Sequence, residues 1–402
     1  MVEMNCSRIV NQSQLITVNN EYASMMIPYL VYISVVMVLG IAGNAIVLLV
    51  YGTKAKKITL NYFVITLAIF DLLTCIVSFP FNILRTAMQF TFPSEVFCKI
   101  GFLSLYMTVS AASFILICIA VHRYNKVCRP LKRGFDDKMA KRLCYASFPV
   151  GLCVAVPTAL IFGLATRRDK KTGICGRECF IKDEYERTAT LIVFFVILCI
   201  IFIGLVVTVS VLYILVGKVA YIRRNNRNQQ NQIQLRRYQL TTSADALDGS
   251  NPDVRAASNG TRNSLHPAVD VDGRENNDNQ FLDLSRERSQ DSKRSAASEA
   301  PSEYKSWNSR LILFKTERML LAVTVTFILC WLPFWVFISG TVLNGNFLQP
   351  ETPFQHIIRK VFYEAFYFNN AINPVIYAFM NSAFRDDFRR LSIQWCRRPP
   401  RV

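Results

Sequence analysis

Long blocks of apolar residues, separated by polar and charged stretches, dominate the pattern along this chain of 402 residues. Spanning a bilayer as a helix takes about 20 mostly apolar residues. Seven blocks are long enough, and they cover residues 26–52, 59–88, 96–128, 140–164, 189–216, 319–343 and 357–380. A soluble helix has one apolar stripe, whereas residues 191–215 are apolar on every side. The pattern therefore predicts an all-α membrane protein, a bundle of seven transmembrane helices.

The polar stretches predict the rest of the organisation. Residues 1–25 are an N-terminal segment, and 26–221 hold the first five spans with their loops. Residues 222–310 are rich in Asn, Gln, Ser, Asp and Arg and poor in aromatic residues, so we expect a disordered loop, with 225–238 as a candidate extension of the fifth helix. Residues 311–382 hold the last two spans, and 383–402 form the tail.

Basic residues set the predicted orientation. Lys and Arg cluster after the first, third, fifth and seventh spans, on the side that the positive-inside rule makes cytoplasmic. Seven spans then leave an extracellular N-terminus, where Asn5 and Asn11 begin glycosylation sequons, and a cytoplasmic C-terminus. The net charge of +18 fits this asymmetry and attraction to anionic membrane lipid. Binding of nucleic acid is excluded because membrane spans interrupt the basic runs.

The tail begins with a candidate amphipathic helix. Phe384, Phe388 and Leu391 recur at helical spacing against a charged face, which is typical of a short eighth helix lying in the membrane interface. Cys396 follows as a candidate palmitoylation site.

Four motifs place polar or helix-breaking groups inside apolar blocks, where lipid penalises them. Asp71 lies in the middle of the second span, and His122-Arg123-Tyr124 ends the third. Cys330-Trp331-Leu332-Pro333 lies in the sixth span, and Asn373-Pro374-Val375-Ile376-Tyr377 lies in the seventh. Such groups persist mainly where they function, and each proline removes one helical hydrogen bond and favours a bend.

The order and spacing of these motifs resemble the rhodopsin-like (class A) G-protein-coupled receptors. The resemblance covers all seven spans and implies a membrane receptor, not an enzyme, that passes ligand binding to a heterotrimeric G protein by outward movement of the sixth helix. Arrestin and receptor kinases are further implied partners. The resemblance also implies switch roles for the motif residues and for one tyrosine of the fifth span: Arg123, His122, Tyr124, Tyr213, Trp331, Pro333, Pro374 and Tyr377.

A disulfide and a sodium site are implied by the same resemblance. The outer cysteines are Cys6, Cys98, Cys175 and Cys179, which permit three pairings. The resemblance implies a bridge from Cys98 to the following outer loop, with Cys179 favoured and Cys175 as the alternative; a Cys6–Cys175 bond stays open. In this family the aspartate corresponding to Asp71 anchors an allosteric sodium ion among polar side chains, here Asn44, Asn369 and Asn373. The alternative is a hydrogen-bonded hub without sodium.

This chain departs from the family beside Arg123. Relatives have Asp or Glu at the position of His122, and a carboxylate there would hold the arginine in the resting state. A neutral histidine cannot do so. We therefore expect a weakened resting lock and raised basal signalling.

The outer halves of the spans indicate the class of ligand. Candidate pocket residues are mostly aromatic: Asn82, Arg85, Tyr106, Phe334, Trp335, Tyr363 and Tyr367. Arg85 is either an anchor for an anionic ligand group or a side chain reaching the outer interface. Glu364 lies nearly opposite Asn373 on a helical wheel and is not assigned to the pocket. Amine receptors place an aspartate at the position of Leu105, which disfavours amines.

The stretch from Phe79 to Leu84, followed by Cys98, resembles neuropeptide receptors, the cholecystokinin-like ones among them. A neuropeptide is therefore the favoured ligand, and a lipid or other small organic molecule is the alternative. The charged outer loop 167–187 is either a solvated hairpin or a funnel for an acidic ligand. A transporter is the competing class of protein, but it would show internal repeats and paired broken helices, and the sequence has no such repeat.

Overall fold

The computed structural model describes residues 12–53, 58–131, 134–169, 171–186, 188–248, 301–343 and 352–396. Asn5, Asn11 and Cys6 lie outside these ranges, as does the middle of the long third inner loop, residues 249–300.

The fold is the predicted bundle of seven transmembrane helices. Six helices of the described chain are long and apolar enough to cross a membrane: Ile27–Gly52, Thr59–Ala87, Glu95–Cys128, Asp137–Ile161, Ala189–Arg237 and Arg318–Thr341. The seventh span is interrupted and consists of Pro353–Tyr363, a 3-10 turn Ala365–Phe368, and Asn369–Met380. The first and seventh spans pack so closely that a Cβ atom on Gly43 would lie 2.8 Å from the Pro374 ring.

The second span is also irregular. A helix Thr59–Leu73 passes into a π-helical turn, Thr74–Ser78, and then into Phe79–Ala87. The Phe79 amide donates to the Thr74 carbonyl, five residues earlier, in the turn that precedes Pro80. Since a π-turn inserts one extra residue, it rotates all later side chains about the helix axis. This rotation sets the direction of Asn82 and Arg85.

The fourth span ends earlier than predicted. Its helices are Asp137–Ala155 and Thr158–Ile161, so the expected extension to Leu164 is wrong. Phe162–Arg168 is instead a strand that pairs antiparallel with Cys175–Ile181. The outer loop is therefore the predicted charged hairpin. Cys98 is bonded to Cys179, with Cα atoms 5.6 Å apart, which confirms the favoured pairing over Cys175. Cys175 is itself disulfide-bonded.

The two ends of the long inner loop are helical. The fifth helix runs from Ala189 to Asp248, well past the candidate extension 225–238, and the sixth runs from Pro301 to Leu343. The predicted disorder of residues 222–310 does not hold for 222–248 and 301–310 and stays a prediction for 249–300, because helix extends into both ends of the loop.

Helices also flank the bundle at both chain ends. An unpredicted N-terminal helix, Gln12–Met25, is fixed by Asn19, whose amide donates to the Ala87 carbonyl at 3.0 Å and accepts from the Phe90 amide at 3.1 Å. The predicted C-terminal helix is Ser382–Cys396. Its Phe384 is buried and stacks on Tyr51 with ring centroids 5.8 Å apart, so the apolar face anchors this helix to the bundle.

Candidate functional site: a polar path and an outer cavity

A polar connection links the first, second and seventh spans at mid-membrane. The Asn373 amide donates to Asp71 at 2.8 Å, and the Asn44 amide donates to the Asn370 carbonyl at 2.7 Å. Asp71 is completely buried. The structure thus brings Asp71 together with its predicted partner Asn373, and Asn44 together with the backbone of Asn370.

Among the buried side-chain oxygens in these spans that have no hydrogen-bond partner within the described residues, four are amide or carboxylate oxygens. They belong to Asn44, Asp71, Asn369 and Asn373. Buried acceptors without partners are costly. All are hard oxygen donors, the ligand type that suits alkali and alkaline-earth cations, so these residues fit the implied sodium ion.

The inner end of the third span holds the His-Arg-Tyr motif. Arg123 is buried, with 3% of its surface exposed, and His122 beside it packs against the rings of Phe63 and Phe135, each at 6.1 Å between centroids. Aromatic packing therefore replaces the ionic contact that a carboxylate would make. Tyr124 points elsewhere and contacts the Arg129 guanidinium at 5.3 Å.

The two candidate switch tyrosines, Tyr213 and Tyr377, are both buried. They lie in the apolar core of the bundle. The Tyr377 hydroxyl has no hydrogen-bond partner among the residues that the structure describes. The Arg123 guanidinium therefore does not donate to the Tyr377 hydroxyl in this structure.

Aromatic contacts surround the proline of the sixth span. Trp331 lies 6.1 Å from Phe327 and stacks on Phe366 of the seventh span at 4.7 Å between centroids. Pro333 lies inside the same helix, where it supplies no amide hydrogen. Trp331, two residues from Pro333, therefore contacts the seventh span through Phe366.

Above this aromatic group the bundle encloses a cavity of about 280 Å³. Six of the seven predicted pocket residues line it: Arg85, Tyr106, Phe334, Trp335, Tyr363 and Tyr367. The seventh, Asn82, is buried behind the wall. Leu105 and the pair Phe327 and Trp331 also line the cavity, so it extends from the outer half of the bundle down to the hinge.

Glu364 lines this cavity and is only 3% exposed, so the prediction that it lies outside the pocket is wrong. The helical wheel failed because residues 365–368 form a 3-10 turn. Four residues at 120° instead of 100° add about 80° of rotation, which brings Glu364 towards the interior.

Glu364 is the centre of a buried group that we call the outer ion cluster: Tyr29, Asn82, Arg85, Lys360 and Glu364. Its carboxylate accepts from Arg85 and Lys360 at 2.7 Å each, from Asn82 at 2.6 Å, and from the Tyr29 hydroxyl. Asn82 also accepts from Arg85 at 3.0 Å. Arg85 therefore points into the bundle, and the alternative of a side chain reaching the outer interface is wrong.

Three members of this cluster were not among the predicted pocket residues: Tyr29, Lys360 and Glu364. One signal was available, since Lys360 and Glu364 are four residues apart and such pairs meet on a helix. The non-α turns in the second and seventh spans leave no equally clear mark in the sequence.

The outer hairpin adds a second acidic group near the cluster. Burial raises the pKa of Glu178, although the Arg167 guanidinium at 3.4 Å acts in the opposite direction. Glu178 also accepts a hydrogen bond from the Gln89 amide. This carboxylate is thus held by its own neighbours.

The seven spans, the polar connection around Asp71 and the outer cavity define a membrane receptor. The family model described as "7 transmembrane receptor (rhodopsin family)" matches residues 43–377. The chain belongs to this family, and it is a multi-pass membrane protein and not an enzyme.

Several relatives are similar over most of the chain. A gastrin/cholecystokinin type B receptor of Canis lupus familiaris is 25% identical over 92% of this chain and 80% of its own. A cholecystokinin receptor type A of Cavia porcellus is 26% identical over 88% and 78%. The octopamine receptor beta-2R of Drosophila melanogaster is 25% identical over 88% and 59%. Receptors whose names indicate a peptide and an amine are thus similar to this chain to nearly the same degree.

Proposed function

We propose that this protein is a plasma-membrane receptor that passes the binding of an extracellular neuropeptide to heterotrimeric G proteins. One observation carries the proposal: a single cavity is lined both by Arg85 at the outer ends of the helices and by Trp331 beside the Pro333 hinge. A ligand in this cavity touches the side chains that control the sixth helix.

The proposed mechanism is a shift between two states. A ligand that contacts Trp331 and Phe334 favours an arrangement in which the sixth helix pivots near Pro333 and its inner end moves outward. Arg123, now buried, then becomes accessible to the G protein, with Tyr213 and Tyr377 beside it. The ligand must bind the two states unequally, and about 5.5 kcal/mol of difference moves the active fraction from 1% to 99%.

A peptide ligand is supported over an amine by the cavity wall. Leu105 occupies the position at which an amine receptor would place its aspartate, and it lines the cavity. Glu364 is an acid on the same wall, but Arg85 and Lys360 already contact it. Among relatives, the cholecystokinin receptors favour a peptide. A lipid or other small organic ligand is the second candidate, because the wall is largely aromatic.

We also propose that a sodium ion binds in the resting state among Asp71, Asn44, Asn369 and Asn373. The support is the set of buried oxygens without partners. When bound, sodium would supply a positive charge that offsets the Asp71 carboxylate. The Asn373 amide orients that carboxylate at 2.8 Å, so the two residues would respond together when the ion leaves.

Orientation and attachment follow from charge and sequence. The N-terminus and the hairpin Phe162–Ile181 lie outside the cell, and the C-terminal helix lies inside. Asn5 and Asn11 carry glycans, and Cys396, the last residue of the C-terminal helix, carries a palmitoyl group in contact with membrane lipid. Arrestin and receptor kinases act on the long inner loop.

The test measures guanine-nucleotide exchange on purified G proteins added to membranes that express the full chain. A peptide library is applied, and solute flux is followed in the same vesicles. Exchange above that of membranes without the chain, raised further by library members and with no flux, supports the receptor. Flux without exchange would instead favour a transporter.

A further inference from the structure

The outer ion cluster contains more positive charge than negative charge. Arg85 and Lys360 are paired with one carboxylate, that of Glu364, and the three side chains are 13%, 17% and 2% exposed. The other acidic group nearby, Glu178, is held by Arg167 and Gln89. Excess charge in a poorly hydrated site is costly unless a partner arrives.

The donors and acceptors of the cluster are also unequal. A carboxylate has about four acceptor positions, and Glu364 receives donors from four side chains. The Arg85 guanidinium has five N–H groups. Its two described acceptors, on Asn82 and Glu364, both contact Nη2, while Nε is buried and has no partner within the described residues. The acid is saturated and the arginine is not.

A second hydrogen-bond donor on the same cavity wall, the Trp335 indole Nε1, is also buried without an acceptor within the described residues. Both Trp335 and Arg85 line the cavity. The guanidinium carbon of Arg85 lies 5.5 Å from the Phe102 ring centroid, so an aromatic side chain covers one side of the cation. The wall therefore presents hydrogen-bond donors and positive charge between aromatic rings.

The cavity accommodates only a small part of a ligand. Pockets for small ligands generally measure about 300–1,000 Å³, and this one measures about 280 Å³. It holds one end of a peptide or one to two side chains, and the rest must lie above it.

From these observations we propose that the ligand inserts an anionic group, a carboxylate next to an apolar side chain, which binds Arg85 without displacing Glu364. The incoming negative charge neutralises the excess positive charge of the cluster, and its oxygens accept from guanidinium N–H groups of Arg85 that do not already bond Asn82 or Glu364. This inference rests on the proposed function, because it names the class of ligand for the same cavity.

The experiment compares matched peptides on the full-length receptor purified from membranes. One arm pairs peptides that end in a free carboxylate with the same peptides ending in an amide. A second arm keeps the amide end and pairs Asp or Glu with Asn or Gln next to an aromatic residue. Binding is read as a shift in unfolding temperature, and signalling as nucleotide exchange in membranes.

We expect the acidic member of each active pair to bind on the order of 10- to 100-fold more tightly than its neutral partner, the range of a charge-assisted hydrogen bond. The arm that shows the preference identifies the source of the carboxylate. Arg85→Gln should remove the preference, and Arg85→Lys should keep part of it, since lysine retains charge but not the fork. Arg359→Gln is the matched control, because Arg359 lies at the same outer end, 6.0 Å from the Phe337 ring, and does not line the cavity.

The proposal is overturned if neutral partners bind as tightly as acids, if no acidic peptide binds, or if Arg359→Gln abolishes the preference as fully as Arg85→Gln does. Should Arg85→Gln fail to fold, the acid–amide comparison on the unmodified receptor still decides. Acidic peptides that shift the unfolding temperature without exchange would support this inference and contradict G-protein coupling. Neutral peptides that drive nucleotide exchange as well as their acidic partners would support G-protein coupling and contradict this inference.

Discussion

Replacing Glu364 by glutamine tests the outer ion cluster most sharply. The substitution keeps the shape of the side chain and removes its charge, so that Arg85 and Lys360 lose the carboxylate they both contact at 2.7 Å. Removing one partner of a buried ion pair costs about 3–5 kcal/mol, because the remaining charge is left uncompensated. Because only 2% of the Glu364 side chain is exposed, water cannot replace the lost carboxylate as a partner of Arg85 and Lys360.

The assay is thermal unfolding of the purified receptor, with two comparison variants. Tyr29→Phe removes the hydrogen bond that the hydroxyl donates to Glu364 and the one that it accepts from Asn82 at 2.7 Å, and should cost about 1.5–3 kcal/mol. Glu184→Gln removes a surface carboxylate, 62% exposed and 3.1 Å from Lys182, and should leave the unfolding temperature unchanged.

A double variant separates charge from packing. Glu364→Gln alone leaves two cations, Arg85 and Lys360, without a carboxylate, whereas Arg85→Gln together with Glu364→Gln leaves only Lys360. The double variant should therefore lose less free energy of unfolding than the sum of the losses in the two single variants. The reasoning is refuted if Glu364→Gln unfolds at the temperature of the unmodified receptor. Strict additivity of the two single changes would refute the charge argument even if both destabilise.

Three further predictions concern other parts of the bundle. His122→Asp restores a carboxylate beside the arginine and should lower ligand-free nucleotide exchange; equal exchange would reject the weakened lock. Gly101→Ala places a Cβ within 2.5 Å of three Phe81 ring atoms and should destabilise by about 1–3 kcal/mol, whereas Gly52→Ala meets nothing within 4 Å; similar unfolding temperatures would contradict the packing account. Asp71→Asn should abolish any rise in unfolding temperature when sodium chloride replaces choline chloride; a sodium effect that persists would exclude the proposed ion site.

Much of the fold could be predicted because the bilayer restricts membrane-spanning segments to long apolar helices. Every backbone group in a bilayer must be satisfied within its own helix, so apolar length alone locates the spans. The Cys98–Cys179 bond came from the family resemblance and is confirmed. The fourth span is the exception, because its apolar pattern continues to Leu164 although the chain becomes a strand at Phe162.

Six of the seven candidate pocket residues line one cavity, whereas Glu364 of the ion cluster was assigned to the wrong face, for a geometric reason. Residues such as Tyr106 and Trp335 lie on regular helix, where 100° per residue gives the correct face. The direction of the Glu364 side chain depends on a different geometry, because the 3-10 turn Ala365–Phe368 rotates Glu364 towards the interior of the bundle. Hydrogen bonds to four side chains from three spans then hold that turn, and such long-range contacts leave no local pattern for a helical wheel to detect.

The central claim is that events in the outer cavity change what the inner end of the bundle presents, through Arg123. The direct measurement uses a peptide that stabilises the receptor and drives nucleotide exchange, applied to the unmodified chain and to Arg123→Gln at equal surface expression. The account predicts that Arg123→Gln still gains unfolding temperature with the peptide but loses exchange. Full exchange through the Arg123→Gln receptor would contradict it.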